Sequence, residues 1–169
     1  MKLLDKDAAL VEVARAAALV PEALGGCVPC ALARGFLPRR TVASRDGVTV
    51  VLERFAVRRG HVVVIPDEHA VSVSSLPLAR WAVVQDLAWR AAVAVERVLA
   101  PRRTFVASLG TVEDVPISFP HVHVHVLPVF ESGPDARPAR VLSWGAGVWI
   151  YDDDEAHALA AELGAAFPW

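Results

Sequence analysis

The spacing of apolar and polar positions changes several times along the chain, and each change marks an element. Residues 5–20 are Ala-rich and helix-favouring, with Asp5 or Asp7 standing where an N-cap belongs. Pro21 and Gly25-Gly26 end that helix. Residues 48–57 (VTVVLERFAV) are rich in β-branched side chains and open on the turn pair Asp46-Gly47. They predict a hairpin strand following residues 41–44. HVVVIP, closed by Pro66, predicts another strand. In residues 77–99, Trp81, Val84, Leu87 or Ala88, Ala91 and Val95 recur at helical spacing between Pro77 and Pro101, which predicts one long helix. TFVASLG (104–110) reads as a strand. Residues 142–151 read as an irregular strand, and 131–140 as a flexible surface loop. The acidic start of residues 152–163 suits the N-terminus of a final helix. Strands joined by tight turns around one long helix predict an α+β fold with a mainly antiparallel sheet.

The most regular alternation is FPHVHVHVLPV (119–129), where histidine and valine exchange places at every step. In a strand, His121, His123 and His125 share one face, about 7 Å apart at each step, and the valines fill the other. A merely solvated face would carry Lys, Glu, Thr or Ser, and half-buried imidazoles need partners. Imidazole can bind a metal or attack an electrophile near neutral pH. Three histidines on a straight strand do not reach one ion at ~2.0–2.1 Å, so the three divide their tasks.

Composition narrows the field. With 169 residues, 54% hydrophobic and 21% charged, the chain suits one globular domain with a substantial core. A net charge of -2 gives no support for bulk binding to nucleic acid or anionic lipid. Glu12 and Arg15 interrupt the apolar N-terminal region before it reaches membrane-spanning length, and its acidic start is unlike a signal peptide, so a cytoplasmic location is expected. The two cysteines, Cys27 and Cys30 in CVPC, then point to metal or redox chemistry rather than a structural disulfide. Three readings stay open: a redox pair, two buried thiols, or half of a zinc site.

HVHVHVL, with RRGHVVVIPDEH upstream (58–69), resembles the signature segments of the histidine triad (HIT) superfamily of nucleotide hydrolases and transferases. The likeness covers roughly residues 25–130. It implies a HIT-like fold: a five-stranded, mainly antiparallel sheet, one long helix and a C-terminal helix, here as a domain over 25–169 after an N-terminal helical extension over 1–24. It implies that His123 is the nucleophile, forming a covalent nucleotidyl-imidazole, and that His125 contacts the phosphate. It makes His61 a buried support and places Ser118 or Ser108 near the substrate. A bacterial branch with Cys-x-x-Cys completes a structural Zn²⁺ site with two histidines, which match His69 and His121. The resemblance further implies a homodimer acting on a dinucleoside polyphosphate, a nucleoside phosphoramidate or an adenylylated compound.

The chain departs from the pattern before the triad. VPISFP (115–120) replaces the usual Gly-Gln-Ser/Thr-Val run, and counting back from His121 places Gly110, or Ser108 if the loop is longer, where relatives carry Asn or Gln. The ribose-binding acid of relatives is not evident in ERFAVRRGH. These departures leave a non-catalytic nucleotide-binding or scaffold protein on the same fold as the alternative.

Overall fold

The computed structural model describes residues 1–110 and 119–169. Its elements run β1 (Lys2–Leu4), α1 (Lys6–Ala17), α2 (Val28–Ala33), β2 (Thr41–Arg45), β3 (Val48–Leu52), β4 (Val62–Pro66), α3 (Leu78–Leu99), β5 (Arg103–Ala107), β6 (Val124–Val129), α4 (Pro138–Val141), β7 (Val148–Ile150) and α5 (Asp153–Ala165). Strands β2 to β6 form an antiparallel five-stranded sheet in the order β2-β3-β4-β6-β5. The α+β architecture expected from the sequence is therefore present. A small second sheet pairs β1 with β7. Among the described residues, no helix is long and apolar enough to cross a membrane.

Alternation along the strands divides the sheet into two faces. Val48, Val50, Val62, Val64, Val124 and Val126 pack under α3 and α5 in the main core. The buried stripe of α3 is Val84, Leu87, Ala88, Ala91, Ala94 and Val95, close to the predicted spacing. Removing a side chain such as Leu87, which has no exposed surface, costs about 2–5 kcal/mol. Val51, Val63 and Ile65 face the other way, against α2, and that face carries the histidines.

Helix starts follow their caps. Asp5 accepts from Ala8 N–H at 2.8 Å, and Asp152 accepts from Glu155 N–H at 2.9 Å. Gly60 has φ of 84°, and a Cβ there would meet Leu99 Cδ1 at 2.1 Å. Its N–H donates to Tyr151 Oη at 2.7 Å. The Gly-His pair thus brings the chain close under α3 and sets His61 immediately ahead of β4.

Several sequence expectations change, among them the strand expected over 142–151, which shortens to Val148–Ile150 after a helical turn at Trp144–Ala146. The strand expected over 48–57 ends at Leu52, because Phe55 N–H turns back to the Glu53 carboxylate and Ala56 bridges to Trp149 instead. Residues 131–140 are not a loose loop: they contain a helical turn, Gly133–Ala136, and the start of α4, and Ala136, with Val141 just beyond the segment, is buried against Leu127 and Val129. The triad strand begins only at Val124. Val122 N–H bonds to Ala70 O, so the segment carrying His121 is held by the loop after β4 rather than by the sheet ladder.

Candidate active site and metal centre

Cys27 caps the start of α2 and Cys30 lies within it, so one short helix turns both thiols the same way. His69 follows β4, and His121 arrives from the other side on the lead-in to β6. The ligand atoms of all four lie within 4.8 Å of one another. Cys27 Sγ is 3.4 Å and Cys30 Sγ 3.3 Å from His121 Nδ1, and Cys30 Sγ is 3.4 Å from His69 Nδ1. The edge of a zinc tetrahedron, built from bonds of ~2.3 and ~2.0–2.1 Å, is about 3.5 Å. His121 Nε2–H donates to Pro66 O at 2.9 Å, which leaves Nδ1 with its lone pair aimed at the thiols. Burial pushes the Cys27 thiol up to about 12. A bound cation would reverse that and hold the sulfur as thiolate. Geometry, tautomer and donor chemistry all fit a closed Cys₂His₂ metal site.

Two residues on, the hydrogen bond runs through the other nitrogen. His123 Nδ1–H donates to His121 O at 2.7 Å. A carbonyl only accepts, so neutral His123 keeps its lone pair on Nε2. His125 Nε2, 3.1 Å away, must then be the donor, and its Nδ1 accepts from His61 Nε2–H at 3.0 Å. One carbonyl thus fixes the tautomers of three imidazoles in series. The chain ends at His61 Nδ1, which is buried and has no partner among the described residues. Burial, reinforced by the charge His123 would carry, holds His125 down to about 3 and His61 well below the usual imidazole range, so both are neutral at pH 7.

His61, His123 and His125 line a cavity of about 300 Å³ whose other walls are largely apolar. Val28, Pro29 and Leu32 come from α2, Ala16 from α1, and Phe55, Phe119 and Trp144 supply aromatic surface. Phe55 and Trp144 lie with ring centroids 6.2 Å apart. Leu109 and Gly110 reach the cavity, whereas the exposed Ser108 is not among its lining residues. Ser118 lies outside the described residues. His157 is exposed on α5 and hydrogen-bonds Asp153 O.

Glu53 also lines the cavity, and sequence reasoning passed over it. Burial raises its carboxyl above the usual carboxylate range, against the lowering effect of the Phe55 N–H at 2.9 Å. It is an acceptor facing the apolar cavity beside the histidines. The signal was available: one acid directly follows the largely apolar, β-branched run Val48–Leu52.

Comparison with known proteins identifies the family and the fold. A HIT domain family model matches residues 34–132. An uncharacterized HIT-like protein of Mycoplasma genitalium is 28% identical over 108 residues, 63% of this chain and 75% of that protein. One from Mycobacterium tuberculosis is 30% identical over 105 residues, 60% of this chain and 70% of that protein. Among solved structures, a zinc-bound histidine triad family protein from Mycobacterium smegmatis superposes with TM-score 0.64 at 23% identity, covering 83% of this chain and 91% of that one. A HIT-like protein from Bartonella henselae reaches TM-score 0.68 at 18% identity, with coverages of 83% and 96%. With a family model spanning more than half its length and the three histidines linked through one carbonyl, the chain belongs to the HIT domain family, which in general terms supports nucleotide binding, hydrolysis or transfer.

Proposed function

We propose that the protein is a nucleotide hydrolase or nucleotidyl transferase that attacks an α-phosphate through His123. The observation that carries this reading is the 2.7 Å bond from His123 Nδ1–H to His121 O, which leaves Nε2 as a nucleophile on the cavity wall. In the first step Nε2 forms an N–P bond while the bond from phosphorus to the leaving group breaks, the electron pair departing with that group. The His121 carbonyl steadies the positive charge left on the ring. His125 Nε2–H, which bonds His123 in the resting site, turns to a phosphate oxygen. Water, or a second acceptor, then attacks phosphorus, releases the nucleotide and restores neutral His123. With water as the acceptor, one water is consumed over both steps and a nucleoside monophosphate and a protonated leaving group are formed; with a second acceptor, its proton goes to the leaving group and the nucleotidyl group stays on the acceptor. The apolar walls receive the base, and Glu53 accepts from the ribose hydroxyls.

Cys27, Cys30, His69 and His121 would hold a structural Zn²⁺. It supplies no reactive position; it ties α2 to the segment whose carbonyl orients His123. Strand β5, at the edge of the sheet with Val106 exposed, supports pairing with a second copy of the chain.

The test is to incubate the protein with an adenosine phosphoramidate, an adenylylated compound and diadenosine tetraphosphate, quench in base and map the adduct by mass spectrometry. The expected result is AMP release with a nucleotidyl group on His123, both absent from His123→Ala. Turnover by His123→Ala overturns the assignment. A nucleotide-binding protein without turnover is the second reading, favoured by Phe119-Pro120 in place of the usual lead-in; nucleotide binding without AMP release from any of the three substrates selects it.

A further inference from the structure

A second cavity of about 280 Å³ adjoins the first and shares Leu32, Pro38, Glu53 and Arg54 with it. Neither His123 nor His125 lines it, so it is not where a bond would break. Its chemistry also differs. The first cavity sets one guanidinium, Arg54, against Glu53. The second adds Arg39 and Arg40, opposed by Glu53 and Asp153, and so carries an excess of positive charge.

The two added arginines are held in place but not used up. Arg39 Nη1 donates to Leu32 O at 2.8 Å and to Ala33 O, which anchors the guanidinium at the end of α2. Its Nε and Nη2 have no protein partner among the described residues. The Arg40 side chain is 18% exposed and pairs with Asp153 at 2.5 Å, while its Nε is buried without a partner. Asp153 itself is 89% exposed. An ion pair with one partner in water contributes little. A dianionic phosphate accepts two parallel bonds from one guanidinium and competes well against it.

We propose that this second cavity binds a phosphate carried on the 2′ or 3′ oxygen of the substrate ribose. The protein would then select nucleotides phosphorylated both at the 5′ position and on the ribose diol edge. This rests on the proposed function, in which the 5′-phosphate meets His123 and the ribose hydroxyls meet Glu53. Those hydroxyls are then the substituents nearest the wall the two cavities share. With one of them phosphorylated, the other still donates to Glu53, and the added phosphate reaches Arg39 and Arg40.

The test is calorimetric binding of AMP, adenosine 2′,5′-bisphosphate and adenosine 3′,5′-bisphosphate to the metal-loaded protein. One bisphosphate is expected to bind at least about tenfold tighter than AMP. In Arg40→Gln, and in Arg39→Gln combined with it, that gain falls below about threefold while AMP affinity is unchanged. In Asp153→Asn, which frees Arg40, the gain rises. The proposal is overturned if neither bisphosphate binds tighter than AMP, or if the gain survives in the double variant. Where an arginine variant has lost AMP binding through misfolding, Asp153→Asn decides, and an unchanged gain overturns the proposal. Phosphoramidate turnover measured in parallel tests the chemical reading separately, since these affinities do not depend on it.

Discussion

His121 and His123 are the same residue type two positions apart, yet each presents the opposite nitrogen. His121 gives its Nε2–H to Pro66 O and turns Nδ1 to two buried thiols; His123 gives its Nδ1–H to His121 O and turns Nε2 to a cavity. The difference lies in which backbone carbonyl each ring meets. A histidine's chemistry here is set by a neighbour that contributes no side chain. The two centres are also coupled, because the carbonyl that orients His123 belongs to the residue that faces the thiols.

Breaking the two sides should give different losses. His123→Ala is expected to lower turnover by at least about 10³-fold with an unchanged circular dichroism spectrum. Retained turnover would remove His123 from the chemistry. Cys30→Ser, or chelation, is expected to take bound zinc from about one per chain to none. The melting midpoint should fall by more than about 5 °C, corresponding to a loss of roughly 2 kcal/mol. Equal midpoints with and without metal would contradict a structural role.

The pH dependence of stability probes the neutral imidazoles away from the metal ligands. His125 is held down to about 3 and His61 lies well below its usual range, both by burial first. The unfolded chain therefore takes up protons that the folded chain refuses once pH falls below ~6.5. Their contribution is complete above that pH and declines as the pH falls, for His125 toward pH 3, by up to about 1.4 kcal/mol per unit for each histidine. Urea midpoints measured between pH 7.5 and 5 should show this slope, and His61→Gln should reduce it; a flat profile would mean that the imidazoles are not buried neutral. The smallest effect expected is from Glu53→Gln. A neutral acceptor there should weaken nucleoside binding by about tenfold, the worth of a charge-assisted hydrogen bond, with little change in the rate at saturation. Unchanged affinity would take Glu53 out of the ribose site.

What could be read in advance follows from how local the signal is. The long helix and the sheet strands were legible because α3 buries one stripe, β4 is apolar throughout and β3 is apolar at every position but Thr49. The cysteine and histidine set that clusters in the structure was legible through resemblance. Two things were not legible. His121 and His123 looked like strand residues by alternation, but Val122 N–H is claimed by Ala70 O, a contact between distant segments. The cavity walls drawn from Ala16 and Trp144, like the wall shared at Glu53, exist only once the N-terminal segment and the region around β7 have packed against the sheet. Periodicity reports which way a side chain faces, not what will later cover it.

The central claim is that two carbonyls set opposite tautomers on His121 and His123. Long-range ¹H–¹⁵N correlation of the imidazole rings in the zinc-loaded protein at pH 7.5 tests it directly. The predicted pattern is a protonated Nε2 and metal-bound Nδ1 on His121, with a protonated Nδ1 and bare Nε2 on His123. A protonated Nε2 on neutral His123 would contradict the account, because the nitrogen facing the cavity would then have no lone pair for phosphorus.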